Sequence, residues 1–276
     1  MESNNKLLSI IVPAYNVERF IFQCLESIYQ DIENSNLSEF EIIVVDDCTP
    51  DNSIKEITPF IELYDNIRLI THKENKGLGG ARNTGIINSK GKFITFLDSD
   101  DFYQTGAVNK MISWLRESDE DSILIFGFRA FQGNDTKWKY QPKTPISIDA
   151  QESLYLLSLD QITPAAWNKI FPRKILKEVN FEPHIYYEDL EFTPRAINKS
   201  KKVFFKSDVL INYRQEGISI TRQTTKQKHI DDFLVALKHL NLSLKDNSIF
   251  SNFFFNRWEY LLKTWKLDST LFEYAL

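Results

Sequence analysis

Three carboxylates fall within four positions at Asp98-Ser99-Asp100-Asp101, directly after the apolar run "FITFL". At neutral pH they repel one another, so either they cap the next helix or something cationic sits among them. A second adjacent pair, Glu188-Asp189 in "YYEDLEF", offers a group that takes a proton from a hydroxyl, or charge that complements a helix dipole. Asp46-Asp47 before "CTPDNS" is open to the same two readings, turn chemistry or a ligand contact. "NKGLGGARN" lacks the lysine-serine ending of a P-loop, and its glycines supply positive φ or close approach. Trp167, ahead of Asn168-Lys169, is either a stacking platform or a core residue. The histidines, His72, His184, His229 and His239, show no metal-ligand spacing, which leaves surface or packing roles. His184 alone stands close enough to Glu188-Asp189 to touch a substrate.

These residues sit at the ends of predicted strands. "LSIIVPAYN", "FEIIVVDD", "NIRLITH" and "KFITFLD" are apolar throughout and alternate with helical patterns at 17–30, 51–64 and "GGARNTGIINSK". Such strands indicate a parallel sheet covered on both faces. In open sheets of this kind ligands bind at the carboxyl ends of the strands. Pro13-Ala14-Tyr15-Asn16, Asp46-Asp47, "KENKGLGGARN" and "DSDD" all fall there, so separate loops deliver carboxylates, a tyrosine, glycines and Arg82 to one edge. Residues 104–117 read as a further helix and "SILIFGFRAF" as a further strand. "NDTKWKYQPKTP" reads as a polar connection, followed by helices near 150–159 and 188–198 and two short strands, "KKVFFK" and "VLINYR". From about residue 225 the pattern is helical. The expected fold is α/β, a Rossmann-like, mostly parallel central sheet with flanking helices, over residues 1–222, with a C-terminal helical appendage at 223–276.

Composition narrows the class. The chain has 276 residues, 42% of them hydrophobic, enough for one large core. A net charge of −5 advertises no nucleic-acid surface. The two cysteines, Cys24 and Cys48, lack metal-ligand spacing and fit a reduced cytoplasmic setting. The first sixteen residues carry an apolar run too short for a signal peptide, and no later segment reaches spanning length. The expectation is a cytoplasmic protein, soluble or peripheral at the inner face of a membrane.

Taken together, "SIIVPAYNVERFI", "EIIVVDDCTPDNS", "NKGLGGARNTGI" and "FITFLDSDD" resemble, in order and spacing, the family 2 nucleotide-sugar glycosyltransferases of the A-type fold, of bacterial polysaccharide type. "AAWNKIF", "YYEDLEF" and "YRQEGISIT" resemble the acceptor-side and closing-loop motifs of that family. The resemblance covers about residues 7–222. It implies transfer of a sugar, hexosyl or N-acetylhexosaminyl, from a UDP-sugar to a hydroxyl of a saccharide or lipid-linked saccharide, in surface polysaccharide synthesis. Mn²⁺ or Mg²⁺ is the implied cofactor, since hard ions suit an all-oxygen site. By motif match Asp100 ligates the metal and Asp98 assists, directly or through water and the ribose, while Asp101 caps the following helix. Asp47 resembles the acceptor of the uracil N–H, with Pro13 and Tyr15 lining the base pocket and Asn75 and Arg82 as further nucleotide contacts. Arg214 and Ser219 resemble the residues that reach the diphosphate. Asp189 matches the general base, with Glu188 orienting it or binding acceptor; a single base with direct displacement implies inversion. Trp167 and His184 are candidate acceptor contacts.

Other readings of the chain fit less well. A nucleotidylyltransferase wants a basic, glycine-rich loop after its first strand, and "VPAYNVERF" is not one. A haloacid-dehalogenase-type phosphatase carries its Asp-x-Asp after the first strand, whereas here it follows the fourth. A non-catalytic nucleotide-sugar-binding or scaffold protein is the alternative of a different class; Asp100, Asp189 and Arg214 together argue against it. The C-terminal "IFSNFFFNRWEYLLKTWKL" sets Phe250, Phe254, Trp258, Leu261 and Trp265 on one stripe. That stripe is a core or partner-helix face in a homo-oligomer, or a membrane-surface helix.

Overall fold

A computed structural model describes residues 6–142, 147–158, 160–215 and 226–244, together with Glu259. The first half alternates strand and helix: β1 (Leu8–Ala14), α1 (Ile21–Tyr29), β2 (Phe40–Asp46), α2 (Ser53–Leu63), β3 (Ile67–Thr71), α3 (Gly77–Asn88) and β4 (Phe93–Phe96). There follow β5 (Phe102–Tyr103), α4 (Ala107–Arg116), β6 (Ser122–Gln132), β7 (Asp135–Tyr140), β8 (Ser147–Asp149) and α5 (Ala150–Ser158). The chain continues through β9 (Lys169–Pro172), α6 (Arg173–Leu176), α7 (Glu188–Lys199), β10 (Lys202–Arg214) and α8 (Lys226–Leu244).

The strands form one sheet in the order β3-β2-β1-β4-β9-β6-β10-β5, with β7 on β6 and β8 on β10. β1, β2, β3 and β4 are parallel, with Ile10 opposite both Ile42 and Thr95. β9 runs antiparallel between β4 and β6, and β10 is parallel to β6. Because side chains alternate along a strand, Ile10 and Val12 join α1, α2 and α4 in one core, while Ile11 joins α5, α6 and α7 in the other. This two-sided burial is why β1, β2 and β4 are mostly apolar, with Ser9, Glu41 and Thr95 the buried polar exceptions before the strand ends.

The second half departs from the sequence expectation in three places. "NDTKWKYQPKTP" contains a strand, β7, whose exposed polar residues pair along β6 and hide the strand pattern. "KIFP" is the inserted strand β9, fully buried. "KKVFFK" and "VLINYR" are one strand, β10, with register shifts between Phe205 and Ile211. The described part of the C-terminal segment, α8, sets Phe233, Ala236, Leu237 and Leu240 on one helical stripe, in the same core as Ile11 and Phe96. Phe250, Phe254, Trp258, Leu261 and Trp265 lie outside the described residues. No described helix is long and apolar enough to cross a membrane.

Candidate active site

The carboxyl ends of β1, β2 and β4 meet at one edge of the sheet. Pro13 is buried within β1 and pairs in register with Val45, and Tyr15 beyond it is exposed. The loops after β1 and β2 are tied together: Thr49 Oγ1 accepts from Asn16 N at 2.8 Å and Asp51 Oδ2 from Glu18 N at 2.9 Å. Asp46 accepts from Thr49 N, so this aspartate does serve turn chemistry.

Asp47 has a larger task. Its buried Oδ1 accepts from Lys76 N at 2.8 Å and meets His72 Nδ1 at 2.7 Å. His72 Nε2 meets Thr84 Oγ1 on α3 at 2.8 Å. Asn75 donates to the Asp47 carbonyl and accepts from Gly77 N. Asp47 and Asn75 thus order the loop that opens α3, and Oδ2 is the Asp47 oxygen that stands outside these bonds. The buried bridge through His72 was not foreseen; a histidine ending a strand opposite an aspartate is its only trace in the sequence.

α3 is stitched to the segment that leads into α7. Asn83 exchanges two hydrogen bonds with the backbone of Phe181, at 2.8 and 2.9 Å. Gly79 is needed for closeness, since a Cβ there would run into the Glu182 carbonyl oxygen. Gly77 has a φ of 73°, and the His184 backbone packs on it. From this helix Arg82 reaches inward, only 1% exposed, between the rings of Phe96 and Phe181. Nη2 binds Asp98 Oδ1 at 2.7 Å and Nη1 binds Glu188 Oε1 at 2.5 Å. Arg82 therefore joins the carboxylate cluster after β4 to the one that opens α7. Both of its terminal nitrogens are committed to carboxylates. Burial alone would lower the guanidinium's proton affinity, but Asp98, then Glu188 and Asp189, hold it well above its ordinary value.

Among the described residues, the cluster after β4 has more carboxylates than cations beside it. Asp101 is buried, with Oδ1 accepting from Arg214 N at 2.7 Å and Oδ2 without a partner. Burial first, then Asp100 and Asp98, push its carboxyl well up. Asp101 does not cap a helix, contrary to expectation: α4 begins only after Gly106, which has no side-chain cap. Asp100 is exposed on one side, and desolvation on the others together with Asp98 pushes its carboxyl to about 6. Arg214 donates Nε to the Asp100 carbonyl and Nη2 to Gln23, among the rings of Phe20, Phe102 and Phe131. A divalent cation fits this corner. Crowded carboxylates and an orphaned buried oxygen are what a hard ion relieves, and Mg²⁺ or Mn²⁺ needs only one or two carboxylates beside water and phosphate. No ready-made cage of three or more His, Cys, Asp or Glu side chains occurs among the described residues. Ser219 lies outside them.

The α7 pair divides by exposure. Glu188 is buried on Arg82, and burial raises its carboxyl to about 7 against the pull of Arg82, with Asp189 adding to the rise. Asp189 is half-buried; burial raises it, while Arg82 and then Lys169 oppose the rise. Tyr187, just ahead of the pair, is left-handed at φ 66°, which costs a non-glycine residue about 1–3 kcal/mol. Lys169 was missed as a site residue, although a lysine opening the apolar run "KIFP" is a visible signal. It is fully buried, donates to Thr163 O, Ala165 O and Asn168 Oδ1, and is pushed down to about 7 by burial, with Asp189 opposing. Trp167 is 8% exposed, stacked on Tyr213 at 5.1 Å and edge-on to Phe128 at 4.5 Å, which is core packing. His184 is exposed, near the pair in chain but without a hydrogen bond to it.

Comparison with known proteins agrees with this architecture. The family model described as Glycosyl transferase family 2 matches residues 9–180. An uncharacterized glycosyltransferase, EpsJ, of Bacillus subtilis is 30% identical over 224 residues, covering 78% of this chain and 63% of its own. An uncharacterized glycosyltransferase of Haemophilus influenzae is 32% identical over 206 residues, covering 72% of this chain and 75% of its own. A poly(ribitol-phosphate) beta-glucosyltransferase of Bacillus spizizenii is 30% identical over 205 residues, but the match spans only 31% of that longer protein. In shape, S. aureus TarS 1-349 in complex with UDP-GlcNAc superposes with a TM-score of 0.77 at 20% identity, over 98% of this chain and 78% of that one. The mixed sheet with its flanking helices is thus the A-type glycosyltransferase fold, and the chain belongs to glycosyl transferase family 2.

Proposed function

We propose that the protein transfers a sugar from a UDP-sugar to a hydroxyl of a saccharide or lipid-linked saccharide, with inversion, in surface polysaccharide synthesis. The observation that carries this is the Arg82 bridge, which fixes Asp98 and Glu188 in one buried network. Donor-side and acceptor-side carboxylates then face a common reacting centre. In the reaction the acceptor O–H gives its proton to Asp189 as its oxygen bonds to the anomeric carbon. The bond from that carbon to the diphosphate oxygen breaks, and UDP leaves with the electron pair. Asp189 suits the base because it is the accessible member of the pair, with its carboxyl raised above the ordinary value by burial. Glu188, locked on Arg82, orients the turn.

Asp98 and Asp100 would hold Mn²⁺ or Mg²⁺, which when bound supplies positive charge to the leaving diphosphate. Arg214 adds a guanidinium fork suited to phosphate oxygens, with Ser219 assigned beside it from its motif. Asp47, Pro13 and Tyr15 form the base site, and Asn75 shapes its loop. A catalytic domain to about residue 222 followed by a helical segment is retained as the organisation, with membrane or self-association through that segment. TarS was solved with UDP-GlcNAc and with UDP, which favours a UDP-sugar here.

The test is Asp189→Asn, which keeps shape and removes the proton acceptor. Sugar transfer should fall at least about 10²-fold while Mn²⁺-dependent UDP binding stays near wild type. Transfer that survives in Asp189→Asn but is lost in Glu188→Gln moves the base to Glu188. Survival in both overturns the mechanism.

A further inference from the structure

We infer that α8 is a positioning element for the Glu188–Asp189 pair, acting through Asp232 and His229; the inference rests on the role proposed above for that pair. The turn ahead of α7 is unfavourable by itself, because Tyr187 is left-handed immediately before Glu188. Nothing in the side chain of Tyr187 favours that conformation, so its surroundings must impose it. Helix α8 supplies several of them. Asp232, 7% exposed, accepts from Tyr186 N at 3.0 Å. His229, 4% exposed, meets the Tyr187 hydroxyl through Nδ1 at 3.1 Å and stacks on the Tyr186 ring at 5.4 Å. The Phe233 ring stands edge-on to Tyr187 at 5.3 Å.

One face of α8 thus fixes the backbone amide of Tyr186 and the ring of Tyr187, which aim the next two residues. A carboxylate carried on a left-handed turn moves as a lever when that turn relaxes. Small displacements of a catalytic group cost rate steeply while leaving binding at the other half of the site intact. Asp232 and His229 are positioning residues: they hold the segment that carries Glu188 and Asp189.

The test measures UDP release, with water as acceptor, from UDP-GlcNAc, UDP-glucose and UDP-galactose with Mn²⁺, alongside UDP affinity and melting temperature. Asp232→Ala and His229→Phe should lower UDP release about ten- to a hundred-fold with UDP affinity unchanged. Asp232→Asn keeps an acceptor for the Tyr186 amide though it loses the ion pair to Lys228, and His229→Gln keeps a partner for the Tyr187 hydroxyl; both should retain most of the rate. Leu240→Ala loosens α8 in the core far from the turn, and should lower the melting temperature with little effect on rate below it. Wild-type rates in Asp232→Ala and His229→Phe overturn the inference. So does a rate loss in Leu240→Ala that matches theirs at equal loss of melting temperature. If the wild type neither binds UDP nor releases it, the failure belongs to the proposed function. The ¹³C carboxyl titrations of Glu188 and Asp189 then decide the inference: they should move in Asp232→Ala and not in Leu240→Ala, and no movement in either overturns it.

Discussion

Replacing Arg82 with methionine should unfold the protein's logic at one point, and the size of the effect follows from the contacts. The guanidinium is 1% exposed and binds Asp98 at 2.7 Å and Glu188 at 2.5 Å. Methionine fills much of the space between Phe96 and Phe181 but leaves both carboxylates without their partner. Breaking a buried pair on one side costs roughly 3–5 kcal/mol, because the remaining charge stays buried. For a domain of this size that lowers the melting midpoint by about 6–20 °C. The pH dependence gives a sharper signature. The Glu188 carboxyl is already raised to about 7 in the folded protein, above its unfolded value, so the folded state binds more protons between the two. Stability from this group is therefore present below the unfolded pKa and is lost as pH rises through about 7. Without Arg82, which opposes the rise, the carboxyl climbs further and the slope steepens. Arg82→Met should be much closer to wild type at pH 5 than at pH 8, and adding Glu188→Gln should recover part of the loss at pH 8. Urea unfolding at the two pH values measures this directly. An equal loss at both, or no loss, would show that the bridge carries little and that the two halves of the site are held by other contacts.

Asp100→Ala should weaken Mn²⁺-dependent UDP binding and abolish transfer; calorimetric titration showing unchanged affinity with and without Mn²⁺ removes the metal assignment. UDP with Mn²⁺ at a hundredfold excess over its Kd should stabilise the fold by about 2.7 kcal/mol, more than ADP or GDP at the same concentration, and equal protection by a purine nucleotide overturns the reading of Asp47. Gly79→Ala forces α3 away from the Glu182 carbonyl and should cost about 1–3 kcal/mol by overpacking; a melting temperature equal to wild type contradicts that close contact.

The first four strands were readable because burial keeps them mostly apolar, and the few polar positions, such as Ser9, Glu41, Arg68 and Thr95, do not break the runs. The second half was harder for reasons specific to each element. β9 is short, begins with the buried Lys169 and ends at Pro172, so it offers few residues to recognise. β7 lies exposed and reads as polar linker, although it pairs along β6. In β10, Lys206-Ser207-Asp208 interrupts the apolar run where the register shifts, and one strand reads as two. Helix α8 was legible as a helix, but not its packing: Phe233, Ala236, Leu237 and Leu240 predict a buried stripe without saying what covers it.

The site shows the same division between residue and partner. Carboxylates at strand ends were visible in the chain, since polar residues closing apolar runs need a reason. Their pairings were not, because Arg82 and Glu188 stand 106 positions apart and only the sheet topology brings α3 under α7. That pairing also bears on why a cation belongs in the proposed mechanism. Among the described residues, Arg82, Arg214 and Lys169 are the cations near Asp98, Asp100, Asp101, Glu188 and Asp189, and Lys169 is itself weakened as a cation by burial. Carboxyls at Asp100, Asp101, Glu188 and Asp189 are all pushed up, by burial first and by neighbouring carboxylates in addition. A nucleoside diphosphate brings further negative charge to that corner. Protons on the carboxylates would balance it, but would also remove the base that transfer needs. A divalent ion held by Asp98 and Asp100 would supply the missing charge and leave Asp189 free to accept a proton, which is the arrangement that the proposed direct displacement requires.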